Sequence, residues 1–218
     1  MSAQPLASAP GAAELFDARE RARIVAAARG LYLRLGIAEV SMADLARHLR
    51  MPEHAVRRWF PASAPLVEAV VEAHAELVRA ELASHQERYT TAVEELLALR
   101  NWVSNELQHN TGPFFQQLET HFPAEYQRWN THMRTFPVAH LRANLHRGVE
   151  QGLYHADLAV EAQVTNWFAQ YEALPTTGPA QASAAERHTA MLNAFLASLV
   201  TPAGALVARR LQEAAPYY

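Results

Sequence analysis

Two short amphipathic segments within residues 41–60 constrain the fold of this chain more than any other feature. The first carries apolar residues at helical spacing as far as Leu49, and the second, after a break at Pro52, ends with the large apolar residue Trp59. Each segment offers only about two turns of apolar surface, so the two helices must cross steeply to bury it. This arrangement is a helix-turn-helix, and its second helix has the size that fits a DNA major groove. An ordinary helical corner is the alternative that this window leaves open.

The boundaries of these helices are marked by residues with capping chemistry. The Ser41 side chain can accept a hydrogen bond from the backbone three residues on, and Asp44 at that position can return one, which predicts a capping box. Gly36 stands where the preceding helix should end, a position that favours glycine. One helix is therefore expected to end just before the motif and another to begin inside it.

Charge is distributed unevenly along the chain. Residues 19–60 contain nine arginines and four acidic residues, whereas residues 61–218 contain ten arginines and sixteen acidic residues. The basic segment coincides with the helix-turn-helix, which is the asymmetry expected when one end of a protein meets phosphate and the other does not. The charge pattern therefore favours nucleic acid as a partner of the N-terminal part.

Composition excludes several classes of protein. The chain has no cysteine, which rules out disulfides, thiolate metal sites and cysteine nucleophiles and suits a reducing cytoplasm. Residues 1–14 have neither a basic start nor a long apolar run, so we expect a disordered tail rather than a secretory signal. No stretch approaches the roughly 18 apolar residues that a membrane span requires. We therefore expect a cytoplasmic protein without a membrane partner.

Helical periodicity continues through the remainder of the chain, and no segment has the convincing alternation of a strand. Pro137 is interpreted as the first residue of a helix, where its missing N–H costs nothing. Outside the motif, the sequence predicts helices over residues 15–35, 63–86, 91–109, 114–121, 124–135, 137–152, 158–174 and 183–200, and a last helix after residue 204. A loop is predicted at 175–183. The predicted fold is all-α, with a tail at 1–14, a three-helix helix-turn-helix domain at 15–62 and a larger helical domain at 63–218.

Several features recur at fixed spacing between residues 19 and 75: a basic first helix, the stop at Gly36, the run Asp44-Leu45-Ala46 and the sequence Arg58-Trp59-Phe60-Pro61 that closes the third helix. In these features the segment resembles the DNA-binding region of TetR-family transcriptional regulators. This resemblance implies an all-α regulator that binds double-stranded operator DNA as a homodimer and is released by a small molecule. Farther along, Gly148 and Gly152 resemble the segment that precedes the dimerising helices of many members.

The chain departs from the family pattern inside and after the motif. Arg50 stands where the turn usually has glycine, and Pro52 replaces the usual Ser or Thr cap of the recognition helix. His54 and Arg57 replace a frequent glycine and tyrosine, and Ser63 replaces a lysine. Arg50 implies a strained turn unless that residue avoids positive φ. These departures bear on sequence preference more than on the ability to bind DNA.

The resemblance assigns roles to the polar residues of the motif. His54 and Arg57 are our candidates for base contacts, because an arginine can bind guanine through two hydrogen bonds. Ser41, Arg50 and Arg58 are expected to bind the DNA backbone. A solvated basic face is the alternative for the two adjacent arginines. Trp59 is expected in the core of the small domain, together with the following phenylalanine.

The resemblance further implies that the helices at 158–174 and 183–200 pair with their twins in a dimer. The residues predicted to form this interface are Val160, Val164, Trp167, Phe168, Tyr171, Leu192, Phe195, Leu196 and Leu199. Aromatic and polar residues of the middle helices could line a cavity for an apolar or aromatic small-molecule effector. These are Trp102, His109, Phe114, Phe115, Trp129, Met133, Phe136 and His140. Ordinary core packing is the alternative for the aromatic members of this group.

No pattern in the sequence indicates a metal, a cofactor or an enzyme. No histidine pair stands beside an acid in an HExxH arrangement, and there is neither a glycine-rich phosphate loop nor a GxSxG motif. Three interpretations therefore remain. The first is a homodimeric DNA-binding repressor that a small ligand releases. The others are a helical interaction protein whose helix-turn-helix no longer binds an operator, and an all-α enzyme.

Overall fold

The fold is described by a computed structural model, which covers residues 12–110, 113–173 and 183–214. Ten helices lie in these ranges: α1 (Ala12–Leu35), α2 (Met42–Leu49), α3 (Glu53–Trp59), α4 (Ser63–Arg88), α5 (Ala92–His109), α6 (Phe114–His121), α7 (Pro123–Glu150), α8 (Val160–Glu172), α9 (Ala184–Leu199) and α10 (Pro202–Ala214). The only extended pairing among the described residues is an isolated bridge between Tyr154 and Val200. The predicted all-α fold is therefore confirmed.

The N-terminal helices share one hydrophobic core. Ile24 of α1, Leu45 of α2, Val56 of α3 and Leu66 of α4 are all buried in it. Helix α1 ends at Gly36, whose φ of 95° is in the left-handed region and whose N–H donates to the Tyr32 oxygen at 2.8 Å. The predicted stop at this glycine is thus confirmed, and it allows the chain to turn back into α2.

Helix α6 is attached to this N-terminal core although it is distant in sequence. Phe114 is buried in the core and stacks on Tyr32, with ring centroids 6.5 Å apart. The Gln117 side chain accepts a hydrogen bond from the Ala38 N–H at 3.0 Å. A domain boundary at residue 62 therefore remains a prediction, because α4 and α6 both contribute to the core of the helix-turn-helix.

A second core lies between α5, α7, α8 and α9. Its buried members include Leu96, Leu145, Trp167 and Leu196. Gly148 allows the Tyr154 ring to pack directly on α7 at the edge of this core, since a Cβ at that glycine would lie 2.0 Å from the ring. Of the two glycines noted in the sequence, Gly148 therefore permits a close helix-to-loop contact, whereas Gly152 has a φ of 66° in the turn that follows the helix.

Three predicted boundaries require correction. Helix α1 already begins at Ala12, within the expected tail, because consecutive alanines extend a helix readily; residues 1–11 lie outside the described part. Helix α7 runs through Pro137 instead of starting there. Its residues on both sides of the proline pack into the protein, so tertiary contacts compensate for the missing hydrogen bond. Helix α10 begins at Pro202 instead of after Gly204, because a proline is accepted in the first turn of a helix. The loop predicted at 175–183 lies outside the described residues up to residue 182.

Among the described residues, no helix combines the length and the apolar character needed to cross a bilayer.

Candidate DNA-binding surface and effector region

The capping box predicted at the start of α2 is present. The Asp44 N–H donates to the Ser41 hydroxyl at 3.1 Å, and the Asp44 carboxylate accepts from the Ser41 N–H at 3.1 Å. Hydrogen bonds from Ser41 hold the pKa of Asp44 below its usual value, and Arg47 adds to this effect. The Ser41 side chain is therefore already engaged in the cap, although it remains exposed beside the motif.

Arg50 occupies the left-handed conformation that the turn between α2 and α3 requires. Its φ and ψ are 55° and 45°, and it is the only residue other than glycine with positive φ among those described. The Met51 N–H then donates to the Ala46 oxygen at 3.0 Å, which closes the turn. The strain expected from the sequence is present, since this conformation costs about 1–2 kcal/mol for a residue with a Cβ. The side chain is exposed.

The outer face of α3 presents three basic side chains. His54, Arg57 and Arg58 are exposed, whereas Val56 on the opposite face is fully buried and Phe60 closes the helix in the core. The core position expected for Phe60 is confirmed, whereas Trp59, expected there too, is half-buried against the same core. The arrangement holds a short basic helix on the protein surface with its apolar side fixed.

Both arginines of α3 have acidic neighbours within the protein. Arg57 Nε donates to Glu53 Oε1 at 2.6 Å, one turn earlier in the same helix. The Arg58 guanidinium lies 3.8 Å from the Asp17 carboxylate of α1 and 5.6 Å from the centre of the Trp59 ring. Because both pairs are exposed to solvent, they are weak and can exchange for a stronger anionic ligand.

Helix α1 contributes contacts that the sequence did not reveal. The Arg23 guanidinium donates to the Leu49 oxygen at 2.9 Å, at the end of α2. The Arg21 guanidinium lies 5.2 Å from the centre of the Phe60 ring, at the end of α3. The run of arginines in α1 was visible, but only the crossing of the helices shows which of them hold the motif.

The residues predicted to bind a ligand divide between two regions. Phe114, Phe115 and Trp129 belong to the N-terminal core, where His74 stacks on Trp129 with centroids 4.9 Å apart. Nδ1 of His74 also lies 3.2 Å from the Arg29 guanidinium. Burial, and next to it the charge of this arginine, lower the pKa of His74 to about 4, so the ring is neutral.

The other predicted ligand residues lie farther along the molecule. Trp102 meets the edge of His85, and His140 contacts Glu95. Met133 is half-buried, His109 is exposed and bonded to its own helix, and Phe136 is 41% exposed beneath the Arg79 guanidinium. The eight residues therefore do not line one cavity in the described part of the chain, and their role in ligand binding remains a prediction.

Two surface depressions lie elsewhere. One of about 410 Å³ is lined by α1 and α2 with the turn between them, including Leu35 and His48. The other, of about 270 Å³, is lined by Phe16, Arg19, Glu20 and Arg23. Both belong to the N-terminal helices rather than to the predicted effector region.

A buried polar network at the centre of the C-terminal helices was missed by the sequence analysis. The Glu95 carboxylate, 1% exposed, accepts from the Asn144 amide at 2.7 Å and from the Arg147 guanidinium. His140 Nε2 lies 2.8 Å from the same carboxylate, without the alignment of a hydrogen bond. Burial raises the pKa of Glu95, but these partners outweigh it and hold that pKa below the usual value. The spacing of the three α7 residues, on one helical face, was the available signal.

The residues predicted to form a dimer interface are mostly covered by their own chain. Val164, Trp167, Leu192, Phe195, Leu196 and Leu199 are buried in the second core, and Val160, Phe168 and Tyr171 are half-buried. Trp167 contacts Phe195 with ring centroids 4.8 Å apart. These side chains are thus covered within their own chain, and their contact with a partner remains a prediction, because apolar spacing does not reveal which surface covers a helix.

The outward faces of α8 and α9 have a different composition. Small and polar residues are exposed there, namely Ala162, Thr165, Asn166 and Ala169 on α8 and Ala190, Ala194 and Ala197 on α9. Such faces let two helices approach each other closely.

Comparison with known proteins identifies the fold. No protein-family model matches the chain, and no curated protein matches its sequence. Among solved structures, a transcriptional regulator from Saccharomonospora viridis in complex with choline is 18% identical, with a TM-score of 0.68 over 84% of this chain and 99% of that one. A TetR-family regulator from Agrobacterium tumefaciens is 20% identical, with a TM-score of 0.67 over 84% and 99%. One from Mesorhizobium loti is 18% identical, with a TM-score of 0.59 over 84% and 98%. The fold of this chain is that of the TetR-family regulators, as its sequence predicts.

Proposed function

We propose that this protein, which has the fold of the TetR-family regulators, is a cytoplasmic transcriptional regulator that binds operator DNA as a homodimer. We further propose that it is a repressor, released when a small apolar or aromatic molecule binds between its middle helices. The observation that carries the first proposal is the exposed basic face of α3, with His54, Arg57 and Arg58 held outward by the buried Val56.

DNA recognition follows from the shape and charge of this face. Helix α3 has seven residues, which suits insertion into a major groove. To bind the edge of a guanine, Arg57 must release its hydrogen bond to Glu53. Arg50 and Arg58 bind backbone phosphates on either side of that base. The exchange is inexpensive because an exposed pair within one helix contributes only about 0.3–0.5 kcal/mol.

Dimerisation supplies the specificity that one such helix lacks. A seven-residue helix reaches few base pairs, whereas two of them about 34 Å apart read a pseudo-palindromic site. We place the partner on the small exposed residues of α8 and α9, centred on Ala169 and Ala194, instead of on the buried aromatic residues.

Release by a ligand requires a connection between the effector region and α3. Phe115 and Trp129 enclose His74, and His74 in turn contacts Arg29 of α1. A molecule that separates these rings would shift α1 and α4 together, and it acts only insofar as it prefers that shifted state. The choline complex of the Saccharomonospora viridis protein supports a small organic effector for this fold, without indicating which one this chain binds.

A gel-shift titration with DNA flanking the gene of this protein tests the proposal. Wild-type protein should retard one duplex selectively, Arg58→Ala should weaken all duplexes alike, and Arg57→Ala should also reduce selectivity. Arg210→Ala, on the exposed face of α10, is the matched control and should bind like wild type.

A second function is favoured by Glu53, which places a carboxylate at the first residue of α3 and occupies Arg57. If this carboxylate prevents α3 from binding DNA, the chain is a helical interaction protein that no longer binds an operator. The absence of any selective shift at low salt would support this second function and refute the first.

A further inference from the structure

The first three turns of α1 extend beyond the core that the other N-terminal helices share. Leu15 and Phe16 are exposed there, Phe16 by 66%, which is unusual for aromatic side chains. From Leu15 onward, where the burial of this helix is described, the first buried residue is Ile24. These turns are therefore not needed to complete the hydrophobic core.

Three contacts nevertheless fix this part of α1 beside the helix-turn-helix. Asp17 lies 3.8 Å from Arg58, Arg21 covers Phe60, and Arg23 binds the Leu49 oxygen. They attach α1 to the C-terminal ends of both helices of the motif, α2 and α3. The start of α1 consequently continues the surface that carries the arginines of α3.

One face of these turns combines an apolar and a cationic group. Phe16, Arg19 and Arg23 recur at spacings of three and four residues, so they lie on one side of the helix, where with Glu20 they line a depression of about 270 Å³. Arg23 is used to hold α2, whereas Arg19 is exposed and has no hydrogen bond or ion pair within the described residues. An unused guanidinium beside an exposed ring suits the phosphate and sugar of a nucleic-acid backbone.

We propose that this face, formed by Phe16 and Arg19, is part of the DNA-binding surface. Arg19 binds a backbone phosphate outside the base pairs that α3 reaches, and Phe16 packs on the adjoining deoxyribose. The inference rests on the proposed function and adds to it a second contact that is independent of base sequence. It commits to DNA rather than to a second protein because the surrounding segment is strongly basic.

The test compares two duplexes that share the core site of the wild-type protein. The core site is first mapped by hydroxyl-radical footprinting. The long duplex carries ten flanking base pairs on each side of this site, and the trimmed duplex contains only the bases that α3 protects. On the long duplex, Arg19→Ala should bind about 5- to 10-fold more weakly for any flank sequence. The slope of log affinity against log salt should become shallower by about 0.9 for each phosphate that the variant no longer neutralises. On the trimmed duplex, Arg19→Ala should match wild type.

Controls separate this inference from the proposed function. Arg210→Ala removes an exposed arginine remote from the motif and should bind both duplexes like wild type. Equal affinity of Arg19→Ala and wild type for the long duplex overturns the inference and leaves the proposed function intact. The inference is also overturned if Phe16→Ala changes the sedimentation coefficient of the DNA-free protein, because this face would then be a contact between two copies of the chain. A wild-type protein that selects no duplex overturns both.

Discussion

The side-chain amide of Asn144 joins α7 to α5 by donating to the Glu95 carboxylate at 2.7 Å and to the Ala92 oxygen at 3.0 Å. The amide oxygen of the same residue accepts from the Tyr154 hydroxyl at 3.1 Å. All of these groups are buried, so water cannot replace a missing partner. The packing of the C-terminal helices therefore depends on this network as well as on apolar contacts.

Removal of the central carboxylate should be costly. Glu95→Ala leaves Arg147 and His140 inside the protein without their anionic partner, and we expect the free energy of unfolding to fall by about 3 kcal/mol or more. Urea titration followed by circular dichroism measures this. Glu150→Ala, which removes an exposed carboxylate at the end of α7, is the control and should change stability by less than about 0.5 kcal/mol. Equal effects of the two substitutions would contradict the prediction.

Two buried histidines should make stability fall in mild acid. A histidine in the unfolded chain takes up a proton near pH 6.5, whereas burial lowers the pKa of His74 and His188 to about 4. Between these values only the unfolded chain binds the protons. The contribution of these histidines to the free energy of unfolding is therefore fully present above about pH 6.5. It is lost as the pH falls toward 4, by roughly 3 kcal/mol for each histidine.

A single substitution isolates one of these contributions. His188 makes edge contacts with the rings of Trp167 and Tyr171, so His188→Phe keeps an aromatic group in the same space. Urea titrations at pH 7, 6 and 5 should show a shallower loss of stability in the variant than in wild type. The same pH dependence in both proteins would mean that His188 is not neutral in the folded state.

The strained turn gives a prediction with an unusual sign. Arg50→Gly should raise the free energy of unfolding by about 1 kcal/mol, because glycine adopts the left-handed conformation without a steric penalty. Arg47→Gly, in the last turn of α2, is the matched control and should lower stability by about 1 kcal/mol. If both substitutions destabilise the protein, Arg50 has contacts that compensate for its strain.

Gly30 and Gly148, which both lie inside helices, should respond in opposite ways to an added methyl group. A Cβ at Gly148 would lie 2.0 Å from the Tyr154 ring, so Gly148→Ala should destabilise the protein by about 3 kcal/mol. At Gly30 of α1 the added group would meet no atom within 4 Å apart from the neighbouring residues and the backbone of the helix itself, and Gly30→Ala should stabilise the protein by about 0.5–1 kcal/mol. Thermal unfolding of both variants measures the difference, and a stable Gly148→Ala variant would mean that Tyr154 can move aside.

The features that the sequence predicted are those determined by local chemistry. The capping box of Ser41 and the stop at Gly36 depend on neighbouring residues, so their identity is sufficient. The sequence did not place Trp167 in the core of its own chain, because helical spacing indicates a covered face without saying whether the same chain or another covers it. Glu95 was missed because its three partners are 45 to 52 residues away, and only the fold brings them together.

Glu53 gives the last prediction, which concerns the DNA surface itself. Its carboxylate engages Arg57 at 2.6 Å and stands at the first residue of the helix that we place in the major groove. Glu53→Gln removes a negative charge next to phosphate and frees the guanidinium, so operator affinity should rise about 5- to 10-fold at low salt and less at high salt.

A double-mutant cycle with Arg57→Ala separates the two causes of this gain. If Glu53 acts mainly by occupying Arg57, then Glu53→Gln should improve binding less in a chain that already lacks Arg57. The same gain in both backgrounds would show that Glu53 only repels the DNA backbone. A loss of affinity on Glu53→Gln would contradict the prediction outright, because the carboxylate would then be orienting Arg57 for its guanine rather than competing with it.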